Sequence, residues 1–336
     1  MDITFFSEGP EHTRFYFPLI KKLHNYNNSL FLITLDSEDP MINKGFFKSV
    51  ITPKNDFEKI KALKNIESKY LITTTPGIGY SYFPKSKIWP KSNRPKYVYL
   101  FHSLVSPNEM YSDNSFKNFD IIFAPSEKIK NQLSYLVSSE TKILTSGYLL
   151  FDGEKKENKE PSPLKNILIA PTWGDAGLIN DVSLLKKIKN IFESYGYSCT
   201  LRPHPMSIKN PELIKSLNNF KLDLAPEVLD FNFYDYLVTD FSGISLEYHF
   251  FTKRPSLFIN TEKKKKRKLS SLELNLDLIE DEMRNIIGVI TDPNQLDESV
   301  IPMLKNHMSD ENFVDSFHNS SGAADFIASS LQKPAS

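Results

Sequence analysis

Short apolar runs alternate with amphipathic segments along this chain. Asp2–Phe6, Ser29–Leu35, Lys69–Thr73, Tyr97–Phe101, Asp120–Phe123 and Lys142–Thr145 are runs of strand length. Arg14–His24, Asp56–Ile66 and Ser126–Ser138 lie between them with apolar positions at helical spacing. Strands that are apolar on both faces, separated by helices, are the signature of a parallel sheet covered on both sides. The pattern predicts an α/β layer fold.

The alternation stops at Asp152–Pro163 (DGEKKENKEPSP), a charged, proline-bearing stretch without apolar periodicity, which reads as a linker. It then restarts. Asn166–Ala170, Tyr197–Leu201, Tyr236–Thr239 and Ser256–Ile259 read as strands. Ser183–Tyr195, Asn210–Leu217 and Ile244–Phe251 read as helices, and Pro293–His307 and Glu311–Leu331 as closing helices. The expected organisation is therefore a first domain over 1–151, a linker over 152–163 and a second domain with closing helices over 164–336. Two similar α/β halves imply a cleft. Ligands of such sheets sit beyond the carboxyl ends of the strands, so the residues just after each strand are the candidates.

Composition narrows the class. The 336 residues carry 41 Lys+Arg and 41 Asp+Glu, and this balance argues against a general nucleic-acid binder. A single cysteine, Cys199, rules out an internal disulfide framework. The opening MDITFFSEGPEHTRF lacks a basic start and a long apolar core, and the apolar runs fall short of the roughly 20 residues that span a bilayer. The expectation is a soluble cytoplasmic protein. Lys263–Lys268 (KKKKRK) is either a solvated loop or a contact with anionic lipid at the inner face of a membrane.

Four strand ends carry candidate chemistry. His102 follows Tyr97–Phe101 and could take a proton from an attacking hydroxyl, or merely close a strand. Thr172, in Ala170-Pro171-Thr172-Trp173, could meet a phosphate or form an ordinary turn. Arg202 and His204, in Arg202-Pro203-His204-Pro205, alternate on a backbone stiffened by two prolines. Both could face a phosphate, or Arg202 could be a structural partner of a carboxylate. In Asp240-Phe241-Ser242-Gly243-Ile244-Ser245-Leu246-Glu247 a strand runs into a helix start. Its free N–H groups with the Ser242 and Ser245 hydroxyls would make an anion site, or Ser242 would simply cap the helix. Asp240 is expected to orient the turn or bond a hydroxyl, and Glu247 to bond ribose hydroxyls.

Weaker candidates are Ser7–Thr13 (SEGPEHT), an acceptor-side wall or a polar loop, and Thr73–Gly79, which lacks G-x-G-x-x-G spacing. His24, His249, His307 and His318 read as structural or exposed. No H-E-x-x-H pattern, P-loop or G-x-S-x-G elbow occurs. No zinc site is predicted, and no obligatory cofactor; a divalent cation is left open.

Taken in order, FHS around His102, APTW at 170–173, RPHP at 202–205 and VTDFSGISLEY at 238–248 resemble the CDP-glycerol glycerophosphotransferase family of teichoic-acid and capsule-like polymer synthesis. The resemblance spans about half the chain. It implies a GT-B architecture, two Rossmann-like domains facing a central cleft, with the nucleotide donor on the second. It implies His102 as the base and His204 on the donor's diphosphate, with Ser242, Gly243 and Ser245 in the segment that cradles it. An acceptor hydroxyl would attack the donor phosphorus and release CMP. The implied partners are a CDP-activated donor and a hydroxyl acceptor such as a lipid-linked glycan. Two departures stand out: Phe101-His102-Ser103 replaces the family's frequent Trp-His-Gly, and Gly243 replaces a second serine. The long N-terminal extension of polymerising members is not seen, so the expectation is a single-addition or short-chain enzyme over a long-chain polymerase. The competing readings are a GT-B glycosyltransferase using a CMP- or UDP-sugar for capsule or lipopolysaccharide, and a non-catalytic membrane-assembly scaffold.

Overall fold

In the computed structural model the described residues are 1–78, 94–107, 111–112, 114–152, 164–174, 177–225, 229–261, 278–317 and 322–332. The expected linker beyond Asp152, the run Lys263–Lys268 and His318 lie outside them. The strands in chain order are β1 (Asp2–Ser7), β2 (Ser29–Thr34), β3 (Ser49–Ile51), β4 (Tyr70–Thr73), β5 (Lys96–Leu100), β6 (Ile121–Ala124) and β7 (Lys142–Thr145). They continue with β8 (Asn166–Ile169), β9 (Ser198–Leu201), β10 (Lys221–Leu222), β11 (Tyr236–Thr239), β12 (Ser256–Ile259) and β13 (Gly288–Thr291). Among the described residues they form two parallel sheets. One is seven-stranded, ordered β3-β2-β1-β4-β5-β6-β7, and the other six-stranded, ordered β10-β9-β8-β11-β12-β13.

Strand order reverses between β1 and β4 in the first sheet and between β8 and β11 in the second. At such a reversal the flanking helices leave to opposite faces and open a crevice beyond the carboxyl ends. The segments that begin there are 8–13 and 74–75 in the first domain, and 170–173 and 240–243 in the second. His102 follows β5, the neighbour of β4. The fold thus delivers the predicted strand-end residues to one end of each sheet.

Several expected elements change. The single closing helix over Glu311–Leu331 is two helices, Glu311–Asp315 and Ala323–Gln332. Gly322 interrupts it with a left-handed φ of 82°, a conformation that costs a residue with a Cβ. Asp152 Oδ2 accepts from the Ala324 N–H at 2.5 Å, so a residue expected to start the linker caps the last helix. That helix was expected with the second domain. It packs instead on the first: Ala324, Ile327, Ala328 and Leu331 share a buried cluster with Ile3, Phe5, Leu19 and Leu23. Pro293–His307 is helical only over Val300–Asn306.

The helix Ile279–Ile287 and strand β13 were not anticipated. Ile279, Met283 and Ile287 recur every fourth residue and are buried, so the helical signal was present beneath an acidic surface. β13 opens on Gly288, where an added Cβ would lie 2.2 Å from the Ser256 carbonyl oxygen. Only glycine lets β13 approach β12 there.

One apolar cluster joins the two domains. Tyr148 and Phe151 pack with Leu246, Phe250 and Met283, and the Phe151 and Phe250 rings stack at 3.6 Å and 3°. Among the described residues no helix is long and apolar enough to cross a membrane.

Candidate active site

His102 stands at the carboxyl end of the first sheet, its Nδ1 enclosed and without a hydrogen-bond partner. Its ring lies 5.2 Å from that of His12 and 6.1 Å from that of Phe15. Burial pushes its pKa down from 6.5 to about 3, with His12, Arg14 and His204 lowering it further and the Thr74 backbone opposing. The imidazole is therefore neutral at neutral pH, the state in which it can accept a proton. The influence of His204 crosses the domain boundary.

His12 belongs to Ser7–Thr13, and the structure sets its tautomer. The Tyr16 hydroxyl donates to the Phe6 carbonyl at 2.7 Å. It can then only accept from Thr74 Oγ1 at 3.1 Å. Thr74 Oγ1 in turn must accept from His12 Nδ1 at 2.7 Å. His12 Nδ1 carries the proton, which leaves Nε2 as the basic nitrogen. Thr75 Oγ1 donates to Glu8 at 2.8 Å. Thr74 and Thr75 thus brace the segment that carries Glu8 and His12.

On the second domain, His204 caps the short helix Pro205–Ile208: its Nδ1 accepts from the Met206 N–H at 3.1 Å. Accepting at Nδ1 fixes the neutral ring as the Nε2–H tautomer, a donor suited to a phosphate oxygen. The Trp173 ring lies 6.0 Å from it. Asp240 is buried, and its two oxygens accept from the Thr172 N–H at 2.7 Å and the Leu178 N–H at 2.9 Å. It orients the turn. Thr172 Oγ1 is enclosed without a partner.

Several predicted ligands are placed elsewhere. The Arg202 guanidinium pairs with Asp223 at 2.5 Å and donates to the Ala225 carbonyl at 3.0 Å, so its fork is committed to structure. Ser245 is fully buried, and its hydroxyl donates to the Ser242 carbonyl at 2.8 Å, as a residue three positions along a helix start can. Glu247 accepts from the buried Tyr148 hydroxyl at 3.0 Å and joins the domains, away from the ribose role expected of it. Ser242 Oγ accepts from the Ile244 N–H at 3.5 Å, and the Ser245 and Leu246 N–H groups bond the Ser242 and Gly243 carbonyls at 3.3 and 3.1 Å, so the first turn of this helix satisfies its own donors. A Cβ at Gly243 would lie 3.2 Å from the Leu104 carbonyl oxygen, two residues past His102. Gly243 serves the close approach of the helix Ile244–Thr252 and the His102 loop. Gly243→Ala should shift that contact by a few tenths of an ångström and cost about 1–2 kcal/mol. A thermal melt should show it, with turnover reduced more than donor affinity because the reacting groups are displaced.

Further cross-domain contacts were invisible in the sequence. Glu280 accepts from the Ser106 N–H at 2.8 Å and the Ser106 hydroxyl at 2.6 Å. Ser106 Oγ accepts from the Ile279 N–H at 2.8 Å. Lys128 pairs with Glu282. Of the remaining histidines, His249 bonds the Arg254 carbonyl and His307 the Ile286 carbonyl. Among the described residues no cluster of three or more His, Cys, Asp or Glu side chains could hold a metal.

Two parallel-sheet α/β domains, each with a reversal of strand order, make up the GT-B fold. The chain belongs to the CDP-glycerol:poly(glycerophosphate) glycerophosphotransferase family, whose family model matches residues 48–277. No curated protein matches the sequence. A structure of the wall teichoic acid polymerase TagF superposes with TM-score 0.62 at 17% identity, over 98% of this chain and 88% of that one. A TagF structure soaked with CDPG gives 0.58 at 17% identity, over 98% and 87%. The UDP-GlcNAc 2-epimerase of Methanocaldococcus jannaschii, bound to UDP-GlcNAc and UDP, gives 0.62 at 15% identity, over 98% and 99%. At these identities the likeness is one of fold.

Proposed function

We propose that this transferase moves an alditol phosphate, glycerol phosphate in the first instance, from a CDP-activated donor to an acceptor hydroxyl during synthesis of a cell-surface polymer. The observation that carries the reading is the pair of imidazoles across the domain boundary: His102 neutral and His204 held as the Nε2–H tautomer. Phosphoryl transfer asks for positioning and charge stabilisation. In this reading His204 and the turn that leads into Ile244–Thr252 hold the diphosphate. Asp240 shapes their turn, and Thr172 lies beside it. His102 takes the acceptor's proton as its oxygen attacks phosphorus. The phosphorus–oxygen bond to CMP breaks, and CMP leaves with the electron pair. A lipid-linked acceptor and membrane contact through Lys263–Lys268 belong to the same proposal.

The test is calorimetric titration with CDP-glycerol, CDP-ribitol, CMP-sugars and UDP-sugars. CDP-alditols should bind and nucleotide sugars should not. A site that takes UDP-sugars and ignores CDP-glycerol would end this reading in favour of a glycosyltransferase. His204→Asn keeps an acceptor for the Met206 N–H but withdraws the Nε2 donor. It should weaken CDP-glycerol about 10–100-fold, the worth of one hydrogen bond to a charged group.

A further inference from the structure

Arg284, on the helix Ile279–Ile287, is 4% exposed, and its Nε and Nη2 have no hydrogen-bond partner. Its guanidinium lies 4.1 Å over the Phe241 ring and 5.5 Å over that of Phe258. Phe241 is the residue between Asp240 and Ser242, and Phe258 lies on β12, paired with β11. The cation therefore sits beneath the adjacent carboxyl ends of two strands, beside the turn that leads into Ile244–Thr252. Its remaining nitrogen, Nη1, reaches the exposed Asn260 side chain at a loose 3.5 Å. Asp281, Asp240 and Asp292 favour its charge from a distance. None forms an ion pair with it among the described residues, and both oxygens of Asp240 are taken by backbone N–H groups. A buried cation without an anion is costly, and a fold keeps one where something else supplies the anion.

We infer that Arg284 is a binding residue for the diphosphate of the nucleotide donor, beside the turn that leads into Ile244–Thr252. This rests on the donor reading above. The stacked guanidinium has its face against Phe241 and its Nε and Nη2 enclosed without partners, so a phosphate oxygen would reach it at the Nη1 corner beside the exposed Asn260. Nη1 leaves Asn260 for a phosphate oxygen lying over the Ser242–Ile244 turn. Arg284 then does what was expected of Arg202.

The experiment compares CDP and cytidine by titration calorimetry on the full chain and Arg284→Met. The variant should bind CDP at least tenfold more weakly and cytidine within threefold of the parent. Its ligand-free melting temperature should be unchanged or higher, because the uncompensated cation is gone. CDP affinity within threefold of the parent overturns the assignment. So does a parallel loss of CDP and cytidine with a lowered melting temperature, which would make Arg284 a structural prop. If Arg284→Met does not fold, Arg284→Gln, which is neutral and can still bond Asn260, is read by the same criteria. A parent protein that binds no CDP would overturn the donor reading as well, whereas equal CDP binding by parent and variant overturns only the role of Arg284.

Discussion

His102→Ala should lower the transfer rate about 10²–10⁴-fold, the usual contribution of a positioned general base, while CDP-glycerol still binds. His102→Gln, closer in size, should lose as much, which separates proton acceptance from packing. The pH dependence sharpens the test. In the unliganded protein burial and the neighbouring His12, Arg14 and His204 hold the pKa near 3. His102 then stays neutral down to about pH 4, and kcat/KM should show no acid limb from it above that point. A bound diphosphate brings negative charge beside the ring and favours its protonated form. The acid limb of kcat, which reports the complex, should therefore lie at higher pH than that of kcat/KM. The same shift bears on stability. The unfolded chain protonates near 6.5 and the folded one near 3, so the unfolded state binds more protons between those values. Stability should fall as pH drops through that window, and His102→Gln should flatten the fall. Turnover by His102→Ala within threefold of the parent would remove His102 from the mechanism.

The fold was legible because buried parallel strands announce themselves as apolar runs. β7, β11 and β12 have the bounds their sequences predict. The strands that escaped are edge strands. β3 has two exposed positions in three, and β13 begins on a glycine that only its neighbour's backbone explains. The site was half legible. A histidine directly after an apolar strand, or between two prolines, marks a strand end whatever packs around it, and His102 and His204 are where the sequence puts them. Arg202 was misjudged because its partner Asp223 is twenty-one residues away across β9 and β10. Nothing local distinguishes a paired arginine from a waiting one. Ser245 was misjudged for the opposite reason: its competitor, the Ser242 carbonyl, is local, and back-bonding within a helix turn leaves no mark on composition. Arg284 was passed over on a helix whose acidic first turn disguised its buried face.

Glu280→Ala should produce the largest loss of stability among these substitutions. The Glu280 carboxylate closes a ring across the domain boundary, taking both donors of Ser106 while Ser106 Oγ takes the Ile279 N–H. Ser106 is fully buried and 174 residues from Glu280 in the chain, so no solvent stands ready to replace the carboxylate. Alanine would leave a buried N–H and a buried hydroxyl unsatisfied, at about 1–3 kcal/mol each when orphaned. With partial relaxation a total of about 2–4 kcal/mol is expected, roughly 5–10 °C in melting temperature for domains of this size. Glu280→Gln keeps the shape but turns one oxygen into a donor facing a donor, so it should fall between parent and alanine. Because the ring ties the first domain's His102 loop to the helix that carries Arg284, its loss should also uncouple the domains. Calorimetry should then resolve two transitions where the parent shows one. A change in melting temperature below 1 °C would mean that the stacked Phe151 and Phe250 and the surrounding apolar cluster hold the domains together unaided.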